Sequence, residues 1–335
     1  MKYVFYITNQ GLTVYQDYNQ STECISTFLW SNQKEIDRFV TELPAKSPVS
    51  MILDLVEEDI SIDSFPKLYL WEKNSVRNQH INRRKEDGAD LVNTQWTGQT
   101  VINSDEREEE LLLTSSISSP SQLVNFMGVI EDAQIVLTAI YSAPFLIASY
   151  FKTEVRHVLG LSKDQLNDPF FIISRQSENS YRQTFFNQSG IRISRLIEID
   201  KDPDDYDGLH AALIHETKLA KNYVYNQNIV SAEESVSYVF IDGDRQRLAG
   251  LEELAEKSGL ISASHEGENA FFKTLGFDLD SVDDEMAMSE LYASKSLADF
   301  VIRQSPNNFY SNSYVTKISN LLLAAKGLIT FNSLV

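Results

Sequence analysis

With 335 residues, 42% hydrophobic and 23% charged, the chain has apolar material for two cores of ordinary size and is not a disordered polymer. Its 48 acidic and 29 basic residues leave a net charge of −19, which excludes a role built on gripping nucleic-acid phosphates and disfavours adhesion to an anionic membrane. A single cysteine, Cys24, excludes an intrachain disulfide and a cysteine-based zinc site.

Three short runs rich in Val, Ile, Tyr, Phe and Thr open the chain, at 2–8, 11–18 and 22–30, and read as strands rather than as a secretory leader. Tyr3, Phe5 and Ile7 alternate onto one face, and the turn 9–11 leads into the return strand. A helical stretch at 33–43 follows, then the run 50–56 (SMILDLV), which has the profile of a strand covered on both faces, with Asp54 as its interruption. The section 57–114 has mixed character, with a helical patch at 71–85, alternating strands at 90–97 and 110–116, and the acidic cluster DEREEE at 105–110. A helix is predicted from Ser121, with Leu123, Phe126, Met127, Ile130, Ala133 and Val136 at helical spacing, followed by a strand at 138–141 and a helix at 143–159.

After the polar stretch 161–168 the opening order returns. Strand-like runs at 169–175, 180–187 and 190–199 precede a long helix at 205–228, an apolar run at 235–241 and a short helix at 247–258. From 269 onward the pattern is helical, broken by acids at 278–285. The segment 318–335 carries one charge, Lys326, and is too short and polar for a plain membrane span; an amphipathic helix and the start of a span are both open. The repeated order predicts an α/β fold of two related lobes facing a cleft. Lobe 1 covers 1–160 with an inserted subdomain at about 57–137, lobe 2 covers 169–268, and a C-terminal helical region covers 269–335.

Little in the sequence carries chemistry. His210 and His215 lie five apart, which turns the second about 140° from the first on a helix, whereas a zinc-binding helix needs a spacing of four. They are expected as surface or capping residues. The group His265, Glu266 and Glu268 has no further ligand nearby, and there is no Gly-x-Ser-x-Gly elbow. Phosphate-binding loops need bare backbone N–H groups. The hairpin turns that would supply them read Thr8-Asn9-Gln10-Gly11 and, in the second lobe, Ser174-Arg175-Gln176 and onward to Asn179. Neither holds an Asp to position a magnesium-bound water. After the run 235–241, one glycine, Gly243, stands where a pair would let an adenosine approach the backbone, and it is flanked by Asp242 and Asp244.

The duplicated plan resembles that of the actin-like, sugar-kinase and heat-shock ATPase superfamily. Within it the sequence is similar to the PilM- and GspL-type cytoplasmic domains of type IV pilus and type II secretion platforms. The stretches 123–144 (LVNFMGVIEDAQIVLTAIYSAP), 180–199 with Arg195, 214–251 with Glu216, and 51–68 carry the likeness, which covers roughly 1–265. Where that family has Asp-x-Gly turns, this chain has Thr8-Asn9-Gln10 and Ser174-Arg175-Gln176, and its adenosine glycines are reduced to Gly243. The resemblance therefore implies an actin-like scaffold with a degenerate nucleotide cleft: no catalysis, no bound cofactor, and no metal. It also implies a short peptide from a membrane-anchored partner docked in a groove of lobe 1, at the cytoplasmic face of a bacterial inner membrane, with self-association open. Trp71 and Trp96 are candidate partner contacts, against ordinary burial in the inserted subdomain. An ATP- and magnesium-binding ATPase or kinase of the same fold, and a soluble α/β protein of unrelated function, are the alternatives.

Overall fold

The computed structural model describes residues 2–18, 21–44, 47–102, 105–176, 179–199, 205–243, 245–261, 271–276, 293–310 and 314–318. The chain opens with β1 (Tyr3–Thr8), β2 (Gly11–Tyr18) and β3 (Ser21–Leu29), then α1 (Gln33–Glu42) and β4 (Pro48–Asp54). Five of the six β1 residues are buried, as a strand covered on both faces requires. Next come β5 (Glu58–Pro66), α2 (Leu70–Glu86), β6 (Leu91–Ile102), β7 (Glu108–Ile117), α3 (Ser121–Asp132) and β8 (Val136–Ser142). The helix α4 (Ala143–Tyr150) runs on through a π turn at Phe151–Val155. Beyond it lie β9 (Phe170–Arg175), β10 (Ser180–Asn187), β11 (Gly190–Glu198), α5 (Tyr206–Asn226), β12 (Ser237–Asp242), α6 (Leu251–Lys257), β13 (Phe272–Gly276) and α7 (Ala293–Gln304).

Two five-stranded sheets have the same plan. One is ordered β3-β2-β1-β4-β8 and the other β11-β10-β9-β12-β13. In each, an antiparallel meander of three strands is continued by two parallel ones. α1 and α5 occupy equivalent connections. Each buries one stripe, Ile36 and Val40 in the first, and Leu209, Leu213, Thr217, Ala220 and Val224 in the second. Asp205 caps α5 by accepting the N–H of Gly208 at 2.9 Å.

The lobes share an apolar layer. Val4, Tyr6 and Ile52 from the first sheet and Ile172, Val239 and Ile241 from the second belong to one cluster, with α4 and α7 between them. Phe151 in the π turn stacks on Phe170, 5.2 Å between centroids, and Phe170 stacks on Phe186 at 5.0 Å. The helix that leaves lobe 1 is thereby fastened to the sheet of lobe 2.

The inserted unit is the sheet β5-β7-β6 with α2 on one face. It ends at Ile117, short of the expected 137, because α3 buries Leu123, Phe126 and Ile130 in the lobe 1 core beside Phe5 and Met51. α3 itself stops earlier than its apolar spacing suggests. Gln134 takes a left-handed conformation (φ 54°), and Val136 begins β8.

The region after 269 is also corrected. Phe272–Gly276 is a strand that pairs in parallel with β12 and completes the second sheet. α7 returns to lobe 1, where the Asp299 carboxylate accepts from Thr22 N–H and Oγ1 at 2.6 and 2.7 Å, and Tyr15 Oη lies 2.8 Å from Ser294 Oγ. The acidic break 278–285 and residues 319–335 lie outside the described residues. Among the described residues no helix is long and apolar enough to cross a membrane.

Candidate functional site

The crevice between the sheets is bounded by the C-terminal ends of β1 and β4 on one side and of β9 and β12 on the other. The first expected phosphate turn lies there, with the described residues Ser174–Gln176 of the second, and the first is closed on itself. Thr8 Oγ1 accepts from the N–H groups of Gln10 and Gly11, each at 3.2 Å. Those are the donors that a phosphate would need. The Asn9 side chain accepts from Val56 N–H at 2.9 Å and donates to Glu57 Oε2 at 2.7 Å, which ties the turn to the end of β4. Trp30 donates its indole N–H to Thr8 O at 2.9 Å and its backbone N–H to Gln10 O at 3.1 Å. Gly11 is required by β3, since a Cβ there would stand 2.0 Å from Phe28 O.

In lobe 2, Ser174, Arg175 and Gln176 are all buried. Gln176 donates its backbone N–H to Ser180 O at 2.8 Å and its amide to Ser174 Oγ at 2.8 Å. Arg175 lies 3.3 Å from Asp242 Oδ1, which also has Tyr181 Oη (3.0 Å from Oδ2) and Arg247 Nε (3.6 Å from Oδ2) around it. Burial, with the Asp242 charge beside it, pushes the Tyr181 phenol well above its ordinary range. Asp242 is thus enclosed by two guanidiniums and a phenol, and the buried Gly243 follows it.

Between the two turns the lobes are bolted together. Arg182 on β10 forms an ion pair with Asp54 at the end of β4, through Nε and Oδ1. It also donates to Leu55 O at 3.1 Å and to Ser194 Oγ at 2.9 Å. Tyr6 Oη stands 2.5 Å from Asp54 Oδ2 and 2.6 Å from Gln176 Oε1, so its one hydrogen lies between a carboxylate of its own lobe and an amide of the other. Burial, reinforced by the Asp54 charge, holds that phenol protonated far above its usual range. An adenine nucleotide and its magnesium do not fit these residues. Among the described residues, the N–H groups of Gln10, Gly11 and Gln176 are engaged within the protein, and the crevice is bridged by the Arg182–Asp54 pair.

Among the described residues no group of three or more His, Cys, Asp or Glu side chains is placed to hold a metal ion. His210 is buried rather than at the surface, its Nε2 lying 2.5 Å from Arg247 O, while His215 on the same helix is exposed. His265, Glu266 and Glu268 lie outside the described residues.

A groove of about 370 Å³ opens on lobe 1 between α3, the ends of β4 and β8, and the base of the inserted unit. Its walls are apolar, formed by Met51, Leu53, Leu123, Val124, Met127 and Ile140, and its charged groups are the acids Asp90 and Glu131. Leu123 also borders a smaller recess of about 90 Å³ that reaches Thr8 and Asn9. The candidate tryptophans part company. Trp71 is 72% exposed and stacks on Tyr69 with centroids 4.6 Å apart. Trp96 is half-buried under α2, with Phe65 at 5.8 Å and Lys73 Nζ 5.4 Å from its ring.

The residues of the bolt, Tyr6, Asp54, Arg182 and Gln176, were only partly visible in the sequence. A lone carboxylate in the run SMILDLV and a lone guanidinium in SYRQTFF, each on a buried strand, formed the signal, because buried charges of opposite sign must find each other.

No family model and no curated protein matches the chain. Among solved structures it is similar to a chain of the PilM-PilN type IV pilus biogenesis complex, with a TM-score of 0.55 and 11% identity over 90% of this chain and 98% of that one. It also matches a Bacteroides thetaiotaomicron protein with an actin-like ATPase fold, with a TM-score of 0.39 and 12% identity over 81% of this chain and 90% of that one. A third match is the cytoplasmic domain of EpsL, an inner membrane component of the Vibrio cholerae type II secretion system, with a TM-score of 0.37 and 10% identity over 71% and 80%. The chain has the duplicated, two-lobed actin-like fold with an insertion in its first lobe.

Proposed function

We propose that this protein is a non-catalytic scaffold of a bacterial type IV pilus or type II secretion-like assembly platform. It works at the cytoplasmic face of the inner membrane and binds short cytoplasmic segments of membrane-anchored partners. The observation that carries this reading is the buried Arg182–Asp54 pair, which joins the two lobes across the crevice between their sheets. A fold that keeps two lobes and bolts them shut has retained its surfaces rather than its catalytic cleft. The likeness in fold to a pilus-complex chain supports the assignment to a platform.

The lobe 1 groove is the surface offered to the partner. Its apolar walls match one face of an amphipathic segment, and Asp90 and Glu131 favour a segment bearing a positive charge. The test is purification of the tagged chain from its native membranes beside the variant Val124→Glu, an exposed position on the groove wall. The proposal expects a single-span protein to be retained by the wild type and lost from the variant, and its isolated cytoplasmic segment to bind the purified chain. Retention that ignores the substitution, or no membrane protein in either sample, contradicts it.

A further inference from the structure

We infer that α2 is a strap held on the inserted unit by charge, which lifts from its sheet when those charges are screened and uncovers a strip made of Phe65, Leu112 and Trp96.

The helix is not held as α1, α3 and α5 are. Each of those buries apolar side chains, whereas none of the 17 residues of α2 is buried. Lys73, Arg77, His80 and Arg84 recur at helical spacing and meet the sheet instead. Lys73 Nζ lies 2.7 Å from Glu110 Oε1 and 5.4 Å from the centre of the Trp96 ring. Arg77 donates through Nε to Thr94 Oγ1 at 3.1 Å. His80 Nε2 stands 3.2 Å from Asp63 Oδ2, with the Phe65 ring set edge-on to the imidazole. Arg84 lies 3.1 Å from Asp59 Oδ2 and donates to Ser61 Oγ at 2.6 Å. In a chain of net charge −19, this helix turns its basic stripe inward onto acids of its own sheet.

The strand register shows what the strap covers. Asp59, Ser61, Asp63 and Phe65 of β5 share a face with Glu110, Leu112 and Thr114 of β7 and with Thr94 and Trp96 of β6. Leu112 and Thr114 are fully buried there. The junction is poorly satisfied: among the described residues, Trp96 Nε1, Glu110 Oε2 and Thr114 Oγ1 are buried without a hydrogen-bond partner. Water admitted by lifting would satisfy these atoms and offset part of the loss of the ion pairs. The pairs themselves lie within reach of salt, since the Arg84 and Asp59 side chains are 27% and 62% exposed. The tethers leave room for the motion. Residues 67–69 and 87–90 join α2 to β5 and β6, each able to span roughly 10 Å when extended, and Gly88 in the second already takes a positive φ of 101°.

The test is amide hydrogen exchange of the full chain in 0.1 M and 1 M sodium chloride, between which the screening length falls from about 10 Å to about 3 Å. Exchange across 70–86 is expected to rise about tenfold, while β7 and the apolar-held α1 keep their rates. An unchanged α2, or α1 and α2 accelerating together, overturns the inference. A second readout exchanges the charges of one latch. Lys73→Glu is expected to speed exchange of α2 at low salt, and adding Glu110→Lys to the same chain is expected to restore it. Protection in Lys73→Glu equal to wild type, or no recovery in the double variant, contradicts a strap held by charge.

Discussion

Arg182 and Asp54 stand 128 residues apart in the sequence and in different lobes, yet they form one ion pair whose side chains are 2% and 1% exposed. Neither charge has water to fall back on. The pair therefore acts as a bolt whose strength shows when one half is removed. Arg182→Ala leaves an uncompensated carboxylate and is expected to cost about 3–5 kcal/mol in urea unfolding. The double variant Arg182→Ala with Asp54→Ala is expected to cost less than the sum of the singles. Strict additivity would show that the two side chains do not interact.

Tyr6→Phe removes the hydroxyl between Asp54 and Gln176 and leaves the Gln176 amide oxygen without that donor. The expected loss is about 1–3 kcal/mol, read from the urea midpoint at unchanged slope. A loss no greater than that of Tyr223→Phe, an exposed tyrosine, would contradict a role in joining the lobes.

Glu58 gives a pH-dependent prediction. It is buried where the insertion leaves lobe 1, and its Oε1 accepts from Ser115 Oγ and from Tyr310 Oη, each at 2.7 Å. Burial raises its pKa above the ordinary 4.5, against the lowering effect of its hydrogen bonds. The folded state then holds the proton more tightly than the unfolded chain. Glu58 thus stabilises fully below pH 4.5, and that contribution is lost as pH rises through its folded pKa. Glu58→Gln, which keeps an acceptor and carries no charge, is expected to gain on wild type as the buffer moves from about pH 4 to about pH 8. A difference that stays constant across that range contradicts the assignment.

The two tryptophans separate a surface from a core. Trp71→Ala is expected to change stability by no more than ~0.5 kcal/mol, because the ring stands in solvent on Tyr69. Trp96→Ala removes a half-buried ring from between Phe65 and Lys73 and is expected to cost of the order of 2 kcal/mol. Equal losses at the two sites would contradict these placements.

The repeated order of strands was legible because hairpin turns and alternation are local, and so β1–β4 and β9–β12 could be read before any contact was known. β13 was not legible. Phe271 and Phe272 fit a strand or a helix equally well, and only pairing with Tyr238–Asp242 decides. The end of the insertion was hidden for a related reason. Leu123, Phe126 and Ile130 announce a helix but not which sheet it covers, and the left-handed Gln134 that ends its path has no signature in its side chain. At the crevice, the departures of Thr8-Asn9-Gln10 and Ser174-Arg175-Gln176 from a phosphate loop were plain from residue types. The bolt was not, because Tyr6, Asp54, Gln176 and Arg182 are joined only through contacts between residues as far as 170 apart in the chain.

The central claim is that these side chains occupy the crevice in place of a nucleotide. Its most direct test is the melting temperature of the full chain with and without millimolar ATP and magnesium. The expected result is no shift, in wild type and in Tyr6→Phe alike. A saturable rise, which for a ligand at a hundred times its dissociation constant reflects ~2.7 kcal/mol, would mean that the bolt opens to admit a triphosphate and would contradict the account.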